Sequence, residues 1–191
     1  ASLRMVLKYF FPNKIFSYKQ LDQLTGQKKG YWTWPMQGVL ALKSMGLEVV
    51  DIEKFDYQKV SDDVENYLAE VYGKKAAKEQ LLHSDILSVK KQAARFAKEI
   101  PVDYRLPNAE DIKQLLEDGY LVVCLVNSKA LNREKGYVGH FVVVFRCTKT
   151  LVLFHDPGLP PKKNRQVSVK QFEHAWEYPD EKAKNVVAFK L

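Results

Sequence analysis

The sequence is poor in the features that mark a specialised environment. Only two cysteines, Cys124 and Cys147, occur in 191 residues, and both sit inside apolar, strand-like runs. That excludes a disulfide-stapled secreted framework, which needs more cysteines in a shorter chain. A reducing or indifferent compartment is favoured, and a cytoplasmic location is the expectation. No apolar run approaches the ~20 residues that cross a bilayer, so no membrane segment is expected. The opening residues also lack the basic stretch and small-residue cleavage site of a signal peptide. The four histidines form no cluster with cysteine at metal-ligand spacing. His83 and His174 fall in helical segments without partners, so no metal and no cofactor are expected. Internal repeats and low-complexity tracts are missing too.

What is present fits a soluble domain with one sizeable core, or a small two-lobed one. Lys and Arg number 30 against 23 Asp and Glu, a net charge of +7. Such an excess can draw nucleic acid or anionic lipid. Here the basic residues are scattered among acids, with no Arg-rich helix and no aromatic RNA-binding signature. A solvated basic surface and no nucleic-acid partner are therefore expected.

Helical signals dominate the first half. Leu3, Val6, Leu7, Phe10 and Phe11 make one apolar face of an opening helix that Pro12 and Asn13 end. Ala1 is not an initiator methionine and no N-cap precedes this helix, so its start is expected upstream. Ser17 caps a helix through Leu24, closed by Gly26. Thr33 is expected to cap a helix with Pro35 in its first turn, running to Met45 and Gly46. Residues 47–52 read as a strand. Residues 56–99 read as a helical hairpin or inserted helix pair broken near Gly73. After a Pro-containing connection, Asn108 or Ala109 opens a helix to Asp118. The second half changes character: residues 120–126, 140–145 and 151–154 are rich in β-branched and aromatic residues. A helix over 168–176 and a last strand over 185–189 follow. Helices first and an antiparallel sheet second predict an α+β domain. The single domain over 1–191 divides into a helical lobe at about 1–118, with the insertion at about 56–99, and a β lobe at about 119–191.

The strongest chemical constellation is Gly139-His140-Phe141-Val142 followed by His155-Asp156-Pro157-Gly158. A hairpin turn near Thr148-Lys149 places His140 opposite position 156 or 157, on the same sheet face. An imidazole–carboxylate pair fixes the ring tautomer, leaving the second ring nitrogen free to take a proton from a nucleophile. The competing reading is a structural His beside an Asp that ends a strand. His155 points to the opposite face and is read as structural. Cys124 and Cys147 lie mid-run, where burial raises a thiol's pKa. A reactive thiolate prefers a helix N-terminus, which directs attention to the start of the first helix.

These residues resemble the bacteriocin-processing (double-glycine) peptidase-like branch of the papain-like cysteine peptidases. The opening Ala1-Ser2-Leu3-Arg4-Met5-Val6-Leu7-Lys8-Tyr9-Phe10 is similar to the continuation of that family's Cys-Gly-Pro-Ala motif. Gly139-His140-Phe141-Val142 and Asp156-Pro157 resemble its His strand and its Asp-Pro element. The resemblance implies a papain-like fold, with a helical lobe packed on an antiparallel sheet. It also implies His140 as general base and Asp156 as its orienting carboxylate. The nucleophilic Cys would stand three residues before Ala1, and an oxyanion-hole Gln further upstream. Peptide or protein substrates are then expected, hydrolysed at a peptide or related amide bond, with Trp32 and Trp34, beside Tyr31, as candidate substrate-binding residues. For these aromatics, packing around a loop and helix start is the alternative. For the whole domain the alternative is a non-catalytic peptide-binding module on the same fold. The helical stretch over 56–99 is longer than the exporter-linked peptidases would have, which leaves the substrate open.

Overall fold

The long β-branched runs of the second half form the middle of a seven-stranded sheet. The computed structural model describes residues 1–177 and 180–191. Its strands are β1 (Glu48–Glu53), β2 (Val102–Asp103), β3 (Leu121–Asn127), β4 (Gly139–Cys147), β5 (Leu151–Asp156), β6 (Lys162–Ser168) and β7 (Asn185–Lys190). They lie in the order β2-β1-β7-β3-β4-β5-β6. Its helices are α1 (Ser2–Phe10), α2 (Tyr18–Thr25), α3 (Met36–Ser44), α4 (Tyr57–Leu82), α5 (Ile86–Glu99), α6 (Ala109–Glu117), α7 (Ser128–Leu131) and α8 (Val169–Trp176). The chain is thus α+β. No described helix is long and apolar enough to cross a membrane.

The described chain divides into two compact units. One comprises residues 1–14, 48–54 and 102–191, and the other residues 15–47 and 55–101. α1, β1, β2 and α6 belong to the unit that holds the sheet. The sheet is not wholly antiparallel. β2 runs parallel to β1, while every other pairing is antiparallel.

In the sheet unit, period-two alternation sends Val122, Cys124, Val126, Val142, Val144, Val152, Phe154, Val186 and Ala188 into one buried cluster. Ile112 of α6, Leu131 of α7 and Phe172 and Trp176 of α8 complete it. Each large side chain buried here contributes roughly 1.5–3 kcal/mol. The Trp176 indole donates to the Asn185 carbonyl at 2.9 Å, which satisfies its N–H inside the core.

The helical stretch is kinked at the expected Gly73, whose non-helical angles (φ 80, ψ 155) suit a residue without a Cβ, and again at Asp63 (φ −146, ψ 83). A further boundary, not expected, falls at His83–Asp85, where the Asp85 carboxylate accepts from Ser88 N–H and starts α5 afresh. Thr33 caps nothing: α3 begins at Met36 behind Pro35. Residues 32 and 34 are instead tied to the α4–α5 connection. Trp32 N–H donates to the His83 carbonyl at 2.7 Å and the Trp34 indole to Ser84 Oγ at 2.9 Å.

On the face of β1 away from the cluster, Asp51 is wholly buried. Neither of its carboxylate oxygens has a hydrogen-bond partner among the described residues. Burial, and then Glu53 two residues along the strand, pushes the carboxyl well above its ordinary value, so the fold holds it protonated. A raised folded value means stability that is present below the unfolded carboxylate value and lost as pH rises towards the folded one. Asp51→Val should therefore raise stability at neutral pH by about 1–3 kcal/mol, and by less in acid. Thermal melts at the two pH values measure this. A variant less stable than wild type at neutral pH would overturn it.

Candidate active site

Two strand ends create the site. β4 and β5 are joined by a tight turn in which Thr148 N–H donates to the Leu151 carbonyl at 2.8 Å, with further bonds to Thr148 Oγ1. From this turn the register runs Cys147↔Val152 and Arg146↔Leu153, then shifts to Val144↔Phe154 and Val143↔His155. The shift is a β-bulge at Phe145. Carried three residues further, it sets His140 opposite Gly158. The expected direct opposition to position 156 or 157 is corrected to a diagonal one. Parity still keeps His140 and Asp156 on one face, and diagonal neighbours lie within reach of such side chains.

The two groups meet, with His140 Nε2 2.6 Å from Asp156 Oδ1. Asp156 is buried and accepts two further bonds: Gly158 N–H reaches Oδ1 at 3.0 Å, and Arg165 Nη1 reaches Oδ2 at 2.7 Å. Burial alone would push this carboxyl up. The Gly158 N–H, the Arg165 guanidinium and the His140 ring together outweigh that and hold it below its ordinary value. An ionised carboxylate can only accept, so Nε2 of His140 donates, and in the neutral ring the lone pair then falls on Nδ1. Nδ1 has no hydrogen-bond partner among the described residues. The ring is therefore oriented at one nitrogen and basic at the other. Gly158 fits closely beside it. A Cβ there would stand 3.0 Å from Asp156 Oδ1 and 3.6 Å from His140 Nε2.

Arg165 was not among the expected site residues. Its guanidinium bridges Asp156 to α7, with Nη2 donating to the Leu131 carbonyl at 2.6 Å and to Asn132 Oδ1 at 2.9 Å, and it lies over the Phe154 ring. The run Lys162-Lys163-Asn164-Arg165-Gln166 reads as solvated surface, yet it forms β6 and pairs Arg165 with Phe154. An Arg opposite a core Phe is an inward-facing cation. Recognising the strand would have demanded a carboxylate for it.

The leading end of α1 reaches the same place. Leu125 N–H turns to Asn185 Oδ1, so Phe141, its partner across β3–β4, directs its carbonyl towards the β5 side. The β4–β5 ladder stops at Val143↔His155 and leaves that carbonyl open. Ser2 Oγ donates to it at 2.7 Å. The start of α1 is thus fastened to the residue next to His140.

Other candidates fall elsewhere. His155 lies on the opposite face, its ring 4.7 Å from that of Phe145, and its Nδ1 accepts from Asn164 N–H at 3.3 Å. Cys124 is fully buried, and burial pushes its thiol up. Cys147 is pushed the same way by burial and then by Glu110. Neither is placed to be a thiolate at neutral pH. Trp32 and Trp34 belong to the helical unit. Trp32 stacks on His83 with ring centroids 4.9 Å apart and leaves half its surface exposed. The Trp34 ring is 6.4 Å from that of Phe55. Among the described residues, no group of three or more His, Cys, Asp and Glu side chains is grouped to hold a metal ion.

Residues 37–188, most of the chain, match the family model described as "Peptidase_C39 like family". No curated protein matches the chain.

A depressed folded value gives Asp156 a stabilising contribution that is complete above the unfolded carboxylate value and lost as pH falls through the folded one. Acid unfolding should therefore be shallower in Asp156→Asn than in wild type. Arg165→Met strands the carboxylate with fewer donors. It should cost about 3–5 kcal/mol and shift acid unfolding to higher pH. Denaturant melts across the acid range read both, and an Arg165→Met protein as stable as wild type would contradict the clamp.

Proposed function

The chain belongs to the Peptidase_C39-like family, and on that footing we propose that it is a papain-like cysteine peptidase domain of the bacteriocin-processing branch. In this reading it cleaves a peptide or related amide bond with His140 as base and Asp156 as its orienting group. The nucleophile is a Cys at the leading end of α1, three residues before Ala1. The observation that carries the proposal is the half-used ring of His140, bonded to Asp156 at Nε2 and unpartnered at Nδ1, beside the bond from Ser2 to Phe141.

The steps follow from that geometry. Nδ1 of His140 takes the thiol proton. The resulting thiolate is stabilised by the imidazolium and by the free N–H groups and dipole of the helix end. The thiolate attacks the substrate carbonyl, and the tetrahedral intermediate collapses to a thioester as His140 returns the proton to the leaving amine. Water, deprotonated by the same Nδ1, attacks the thioester. The acid product leaves and the thiol is restored. Asp156 stays ionised throughout, holding the ring orientation and offsetting the imidazolium charge. Trp32, half exposed, is the freer of the two tryptophans to meet substrate. Trp34 is committed to Ser84.

A polypeptide of residues 1–191 alone should hydrolyse no peptide. With Cys-Gly-Pro added ahead of Ala1, it should cleave members of a mixed peptide library, blocked by iodoacetamide. In that background His140→Ala should lower cleavage by about 10³-fold or more and also slow iodoacetamide alkylation at neutral pH, because the thiolate loses its partner. Trp32→Ala should raise KM and leave alkylation unchanged. Full activity in His140→Ala would remove His140 as the base. A Cys-bearing chain that binds peptides without cleaving them would favour the non-catalytic module.

A further inference from the structure

A second feature of the sheet unit bears on what this site would take. The turn between α7 and β4 and the exposed side of α8 enclose an open cleft of about 630 Å³, within the ~300–1,000 Å³ typical of ligand-binding clefts. Arg133, Lys135, Lys170 and His174 line it, with Glu134 as the one acidic residue. Glu134 is already engaged, 2.9 Å from Lys129. Among the described residues, Arg133, Lys135 and Lys170 have no ion-pair partner. Lys170 stands in the first turn of α8, where no acidic residue occurs and where the helix end already favours anions. Like charges gathered without counter-charge disfavour the fold locally and raise the potential of the cleft for an anion.

The turn is fixed rather than loose. Buried Asn127 donates to the Gly136 carbonyl at 2.9 Å and accepts from the N–H groups of Lys129 at 3.1 Å and Val138 at 3.0 Å. Glu134 N–H donates to the Lys129 carbonyl at 2.8 Å. Arg133 is held at a positive φ of 61°. The backbone that carries Arg133 and Lys135 is thus preorganised, which lowers the ordering cost of binding. The cleft is also tied to the candidate site through shared elements. Asn127 pairs with Gly139, the residue before His140, and Arg165 holds both Asp156 and the end of α7.

We infer that this cleft anchors an acidic segment of the peptide substrate, Asp- or Glu-bearing, while the scissile bond lies at His140. The substrate class rests on the peptidase reading, whereas the anchoring is measurable without it. Fluorescence anisotropy with a fluorescein-labelled peptide of alternating Glu and Gly should show binding to residues 1–191 that weakens steeply with salt. The counterpart peptide with Lys for Glu should bind far less. Arg133→Glu combined with Lys170→Glu should weaken the Glu peptide at least about tenfold, with unchanged melting temperature. The milder Arg133→Gln with Lys170→Gln should fall between. His140→Ala should leave binding intact, so loss of catalysis and loss of anchoring are separate outcomes. Equal binding of the Glu and Lys peptides, or undiminished binding by the charge-reversed variant, overturns the inference. A single-stranded oligodeoxynucleotide of equal charge binding more tightly than the Glu peptide overturns it as well, by assigning the patch to nucleic acid.

Discussion

The carboxylate of Asp156 is the constraint on which the rest of the candidate site depends. A buried charge is tolerated only when enough donors surround it, and here three separate parts of the sheet unit supply them. The ring of His140 comes from the start of β4, the N–H of Gly158 from the loop after β5, and the guanidinium of Arg165 from β6. Each supplier is in turn fixed by its neighbours. Arg165 is gripped by the end of α7, and Gly158 leaves little room for a side chain. Asp51, more deeply buried, shows the opposite balance within the same unit. With no donor at either oxygen it is pushed towards the neutral form, whereas Asp156 is held charged. Deep burial without donors, with Glu53 adding to it, raises the one, and three donors outweigh the lesser burial of the other.

That difference explains what was legible in the sequence and what was not. Strands β3, β4, β5 and β7 carry β-branched alternation strong enough to read directly, and parity along them suffices to put His140 and Asp156 on one face. The bulge at Phe145 changes the pairing by one without any local signal in residue type, so the diagonal relation was hidden. β6 was invisible for a different reason. It is an edge strand made mostly of charged and amide side chains, and edge strands carry polar residues that look like loop. Arg165 vanished with it. The two-residue β2 and the four-residue α7 are too short for any period to register. In the helical unit, Gly73 reads as a break, and α4 is kinked there. The stronger local signal, a cap at Asp85, lies beyond.

The cleft on α7 and α8 illustrates how charge is read differently at the two levels. In sequence Arg133, Lys135 and Lys170 are separated by acids and look like ordinary solvated residues. Folding removes the compensation selectively, because Glu134 is drawn to Lys129 while its neighbours point into open space. Net charge alone bounds possible partners, and the spatial sorting of acids from bases narrows them.

A histidine retained only to satisfy a strand end would be expected to use both ring nitrogens or to bury the idle one in apolar surroundings. His140 does neither: it is partly exposed, and its second nitrogen has no hydrogen-bond partner among the described residues. The expenditure lies on the other nitrogen, which is held by a buried carboxylate that a half-buried arginine and a backbone amide hold in turn. A buried ion pair is a costly way to anchor a side chain that serves packing alone, since well-fitted apolar residues at such positions are often as stable or more so. The arrangement is economical only if the free nitrogen has work to do. The bond from Ser2 to the Phe141 carbonyl fastens a helix start to the residue beside His140, and a helix start supplies a field that favours a thiolate.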